Sequence, residues 1–113
     1  MELQEIVNKL ELQVLSGEKN LGKDVSKGYL SDILSDAMAN AVKGSLWITN
    51  QTHENVIAIV FFKSLAGVIL PDNLEPEQTA LQKAKEKNIP VFRSGRSAFD
   101  IAGQLYDLGI RGR

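Results

Sequence analysis

Apolar positions along the chain fall into short blocks whose spacing switches between the helical period and the strand period. Leu3, Ile6, Val7 and Leu10 recur at helical spacing and predict a short amphipathic helix. Leu12, Val14 and Leu15 predict a short strand. Ser16 to Lys23 is rich in turn residues, with Gly17 and Gly22 supplying backbone freedom. Val25 opens an extended piece that reaches Gly28-Tyr29-Leu30. Ser31 or Asp32 then offers a short side-chain oxygen to the unpaired N–H groups of a helix start. That helix has an apolar face of Ile33, Leu34, Ala37, Met38 and Ala41, and a polar face of Asp32, Ser35, Asp36, Asn40 and Lys43. Gly44 is expected to end it as a left-handed cap, and Leu46-Trp47-Ile48-Thr49 reads as a buried strand.

Val56 to Phe62 is where propensity and position disagree. Its β-branched content favours a strand, but it lies between Leu46–Thr49 and a second short strand, Val68-Ile69-Leu70. Parallel strands need a crossover of about a dozen residues, usually helical, so a buried helix is expected from about Glu54 to Leu65, capped by Thr52 or His53. Pro76 suits the first position of the next helix, where its missing N–H is harmless. Ala80, Leu81 and Ala84 form that helix's narrow apolar face, and it runs to Asn88. Ile89-Pro90-Val91-Phe92 predicts a strand. Ser97 caps a last helix with an inner face of Phe99, Ile101, Ala102, Leu105 and Leu108, stopped by Gly109. Strand and helix by turns predict an α/β fold: one compact domain over 1–113, a mostly parallel sheet with helices on both faces. Residues 110–113 are expected to form a frayed tail.

Composition narrows the function classes. Thirteen basic and fourteen acidic residues leave a net charge of −1, so bulk nucleic-acid binding, which needs a clustered basic surface, is not expected. The chain has no cysteine, which removes disulfides, thiolate nucleophiles and cysteine-based zinc sites and fits a cytoplasmic protein. Met1 to Glu5 lacks the basic start and apolar block of a signal peptide. The longest apolar run, Val56 to Phe62, is far shorter than the ~20 residues a membrane helix needs, so no membrane partner is expected. That run is also denser than one helix face of a small domain usually buries, which points to a homodimer.

In an open parallel sheet, ligands sit beyond the carboxyl ends of the strands. Three loops should gather there: Asn50-Gln51-Thr52-His53, Pro71-Asp72-Asn73 and Ser94-Gly95-Arg96-Ser97. Each precedes a helix N-terminus, whose free N–H groups favour anions, and Arg96 adds a forked donor suited to carboxylate or phosphate. Asn50, Gln51, Thr52, His53, Asn73, Ser94, Arg96 and Ser97 are therefore the candidate residues for a small anionic or nucleotide-like ligand. The plainer reading is that Thr52, Asn73 and Ser97 only cap helices. His53 is the single histidine, and no Ser-His-Asp or Cys-His signature surrounds it, so a capping or interface role is expected. Asp32 and Asp36 alone make a weak metal site, no phosphate-loop string is present, and Trp47 reads as core. No catalytic residue, cofactor or metal is assigned.

Several of these stretches resemble the DRTGG domain family. The similarity lies in Gly28-Tyr29 with Ser31-Asp32, Leu34-Ser35-Asp36 and Met38-Ala39-Asn40-Ala41. It continues in Gly44 with Leu46-Trp47-Ile48-Thr49, Gln51-Thr52-His53 and Asn55, and in Ser97-Ala98-Phe99, Ile101-Ala102-Gly103 and Leu105-Tyr106. It covers nearly the whole chain, although the literal naming string is absent; Asp24-Val25-Ser26-Lys27-Gly28 is the nearest stretch. The resemblance implies a compact α/β fold of the kind found as regulatory or dimerising inserts beside CBS domains in pyrophosphatases and in some phosphotransacetylases. It is similar too to the N-terminal domain of HPr kinase/phosphorylase, and it carries no established catalytic residues. The expected function is a non-catalytic regulatory or ligand-binding module acting as a homodimer. The alternative is an assembly subunit for a separate metabolic or signalling enzyme. A small hydrolase or phosphotransferase is least supported, because no nucleophile–base pair is visible.

Overall fold

Residues 1–112 are described by a computed structural model; the end of the expected tail, residue 113, lies outside them. Helix α1 (Leu3–Leu10) leads into strand β1 (Gln13–Ser16), a single 3₁₀ turn and strand β2 (Lys27–Leu30). Three strand–helix crossovers follow: α2 (Leu34–Asn40) into β3 (Ser45–Ile48), α3 (Glu54–Phe62) into β4 (Gly67–Leu70), and α4 (Gln78–Glu86) into β5 (Val91–Arg93). Helix α5 (Ala98–Asp107) closes the chain. The sheet order is β1-β5-β4-β3-β2, with β1 antiparallel to β5 and the other neighbours parallel.

Strand alternation divides the core in two. Leu46, Ile48, Ile69 and Phe92 face α1 and α5, packing on Leu3, Ile6, Leu10, Ile101 and Leu105. Trp47, Val68 and Val91 face the other layer, made by Ala37 of α2, Val56, Ile57 and Val60 of α3, and Ala80 and Ala84 of α4. The fold is α/β with helices on both faces of a mostly parallel sheet, as the alternating pattern predicts. No helix among the described residues is long and apolar enough to cross a membrane.

Crossover geometry overrides propensity at Val56 to Phe62, which is helical and capped by His53, whose Nδ1 accepts from the Asn55 N–H at 3.1 Å. Other boundaries move for identifiable reasons. Helix α2 is a turn shorter than its apolar pattern: it stops at Asn40, and Ala41 is extended. Gly44, at φ 81°, belongs instead to the turn into β3; a Cβ there would lie 2.8 Å from Ser26 Oγ. Asp32 does not cap α2, because its carboxylate is taken by the Asn50 N–H. Pro76 precedes α4 rather than opening it, since the Glu77 N–H is held by the Thr52 carbonyl. Strand β5 starts at Val91, not Ile89. Phe99 is the largest departure: expected inward, it is 86% exposed. Ile101 and Leu105 set the inner face of α5, and Phe99 lies two residues, about 200° of helical turn, from Ile101. At the chain end Ile110 is buried, and the Arg111 carbonyl accepts from the Gly28 N–H at 2.9 Å.

Candidate functional site

Strands β2 to β5 all end at one edge, where the three predicted loops do gather. Helix α4 leaves β4 toward one face of the sheet and α5 leaves β5 toward the other, the divergence that opens a ligand crevice in α/β sheets. Here that divergence is stapled shut. The Asp72 N–H donates to the Arg96 carbonyl at 2.9 Å and the Asn73 N–H to the Ser94 carbonyl at 2.8 Å. The Arg93 guanidinium donates twice to the Asn73 carbonyl, at 3.0 and 2.8 Å. Asp72 and Asn73 both adopt φ 57° to make this turn. The Asn73 amide closes over Gly95, where a Cβ would come within 3.1 Å of its Nδ2.

The candidate residues form three groups and a separate helix cap rather than one site. Asn50 and Gln51 join Asp32: the Asn50 N–H and the Thr49 hydroxyl donate to its carboxylate at 2.8 and 3.2 Å, and the Gln51 amide donates to its carbonyl at 3.0 Å. Thr52 and His53 line a crevice of about 10 Å³ with Val56, Pro76 and Ala80, room for about one water molecule. Asn73, Ser94 and Arg96 belong to the staple, with the Ser94 hydroxyl accepting from the Arg96 N–H at 3.1 Å. Ser97 caps α5 through the Asp100 N–H at 3.2 Å.

Arg96 is committed elsewhere. Its Nη1 donates to the Leu10 carbonyl at 2.7 Å and its Nη2 lies 3.5 Å from Glu11 Oε1. It therefore closes the carboxyl end of α1, where unpaired carbonyls and the helix dipole favour a cation. Arg96→Ala should accordingly destabilise the fold by about 1–2 kcal/mol, the value of a charged hydrogen bond discounted for partial exposure. Urea denaturation measures this; an unchanged midpoint would make the Leu10 contact a bystander.

Two concavities with mainly apolar linings lie away from the loops. The first, about 330 Å³, runs between α2 and α3 and is lined by Leu34, Met38, Ala58, Ile59 and Phe62, with Ser35 and Asn55 as its polar members and no charged group. Phe62 forms a rim rather than a floor, being 75% exposed, and Ile33 beside the start of α2 is 64% exposed. The second, about 220 Å³, lies between β2 and α5. Buried Ile48, Leu105 and Ile110 form its floor, and Gly28 to Leu30, Tyr106 and Arg111 its walls. The Arg111 guanidinium stands 3.7 Å from the Tyr106 ring centroid and donates to the Tyr106 carbonyl. The first was foreshadowed by the unbroken apolar run of α3; the second joins segments some eighty residues apart and leaves no local signal.

The profile of the DRTGG domain matches residues 5–108, nearly the full described length. The chain belongs to the DRTGG domain family. A comparison with curated proteins returns no match. Among solved structures, this DRTGG domain is similar to the regulatory region of Clostridium perfringens pyrophosphatase, comprising CBS and DRTGG domains in complex with its activator, diadenosine tetraphosphate. The TM-score is 0.70 at 16% identity, over 90% of this chain and 44% of that one. The likeness establishes a shared fold, and the chain spans less than half the length of that region.

Proposed function

We propose that this DRTGG domain is a non-catalytic regulatory module that works as a cytoplasmic homodimer and senses a small nucleotide-like ligand. The observation that carries the dimer is the α2–α3 groove with Phe62 on its rim. A twofold interface pairs one patch with itself, so the patch must carry both a protrusion and a recess. Phe62 is the protrusion and the groove the recess. Because the lining is uncharged, self-pairing brings no like charges together.

Sensing a nucleotide-like ligand is supported by family membership and by the nature of the activator in the pyrophosphatase region. The non-catalytic reading is supported by His53, whose Nδ1 is spent on a helix cap. Phe99, on the opposite layer and 86% exposed, favours a second reading alongside the first. A dimer would still present an aromatic contact to a separate metabolic or signalling enzyme.

A dimer is stabilised by mass action, so its melting temperature rises with protein concentration. The parent protein should show that rise. Phe62→Asp should abolish it, because a central aromatic contact contributes about 2 kcal/mol or more, at least thirtyfold in dissociation constant. A melting temperature independent of concentration in the parent would remove the homodimer.

A further inference from the structure

We infer that the pocket between β2 and α5 is a binding site for a nucleobase carrying an anionic group. The inference deepens the nucleotide-sensing part of the proposed function and rests on it. The floor is apolar: Ile48, Leu105 and Ile110 are each at most 7% exposed, and Gly28 contributes no side chain to the wall. One side is Tyr106, 57% exposed, with the Arg111 guanidinium stacked on its ring. Aromatic rings and arginine planes are the surfaces on which bases stack, tolerant of which base it is.

The opposite side is a sheet edge. Strand β2 is the terminal strand, paired only with β3 within the sheet. The Gly28 N–H points away from β3 and is taken by the Arg111 carbonyl. The Leu30 N–H and carbonyl, two residues on, point the same way by strand alternation. A donor and an acceptor side by side are what the polar edge of a base requires. Among the described residues Arg111 is the single charged one in the lining, so the pocket favours an anion, and a phosphate-bearing ligand in particular. The volume of about 220 Å³ suits a base with its sugar outside. The pocket lies in the opposite layer from the α2–α3 groove, so ligand and dimer do not compete for one surface.

The test is amide NMR titration of the full chain with the four common nucleoside monophosphates and their nucleosides. At least one monophosphate should produce saturating shifts at Gly28, Leu30, Tyr106 and Arg111, and bind more tightly than its nucleoside. Tyr106→Ala, an exposed position outside the core, should weaken both by about ten- to a hundredfold, while Tyr106→Phe restores binding. Arg111→Gln should erase the advantage of the monophosphate over the nucleoside. Saturating shifts confined to residues 50–53 and 94–97 would overturn this pocket and leave nucleotide sensing standing. The absence of saturating shifts with all eight compounds would remove both.

Discussion

Trp47→Ala is expected to bring the domain to the edge of unfolding. Trp47 is fully buried in the middle of β3, packed in the cluster that joins Ala37, Val56, Ile57 and Val60. Truncating a buried tryptophan costs about 3–5 kcal/mol in lost transfer energy and cavity. Its indole N–H also donates to the Ser31 carbonyl at 2.9 Å, and breaking that bond adds about 1 kcal/mol. The sum, about 4–6 kcal/mol, matches the lower end of the roughly 5–15 kcal/mol available to a domain of this kind. Because Ser31 lies in the turn from β2 into α2, the damage should reach the α2–α3 groove. Trp47→Phe, which keeps an aromatic ring but not the donor, should cost about 2 kcal/mol. Urea titration followed by circular dichroism compares the two; a Trp47→Ala midpoint near the parent's would contradict the place of Trp47 in the core.

Gly17→Ala should be nearly as damaging, for a different reason. Gly17 has φ 81°, and a Cβ there would fall 2.3 Å from Pro90 N and 2.4 Å from Pro90 Cα. Those atoms are backbone and cannot swing aside, so the chain between β1 and the start of β5 must separate. The left-handed conformation adds about 1–2 kcal/mol, and forcing an extra carbon into packed surroundings about 1–3 kcal/mol. A loss of roughly 2–5 kcal/mol follows, with exchange protection falling first in β1. Gly22 is the internal control: nothing lies within 4 Å of a Cβ at that position, so Gly22→Ala should leave the midpoint in place. Equal effects of the two substitutions would show that the close approach at Pro90 is not what selects glycine.

Much of the architecture was legible because it follows from local pattern. The helical assignment of Val56 to Phe62 needed only the spacing between two short strands, and that overruled its β-branched composition. Ser97 and His53 cap the helices that their positions suggest. What escaped was set by contacts distant in sequence. Arg96 looked like a free loop cation, but its partner is a carbonyl 86 residues earlier. Asp32 looked like a helix cap, but the loop after β3 competes for the same carboxylate. Phe99 was placed inside because it is apolar, although its angular position on α5 opposes the true inner face. The three loops were correctly brought to one edge, yet their closure depends on backbone hydrogen bonds between them, which no residue type announces. The exposed apolar groove is the converse case: the density of Val56 to Phe62 already exceeded what one domain buries, and the surplus surfaces as Phe61 and Phe62.

Sedimentation velocity over a wide concentration range, on the parent chain and on Phe62→Asp, tests the homodimer most directly. The parent should sediment as a species of twice 12.4 kDa at high concentration and dissociate on dilution, while Phe62→Asp stays a monomer with unchanged circular dichroism. A parent chain that sediments at the monomer mass throughout, or a Phe62→Asp variant that dimerises as well as the parent, would contradict a homodimer built on the α2–α3 groove.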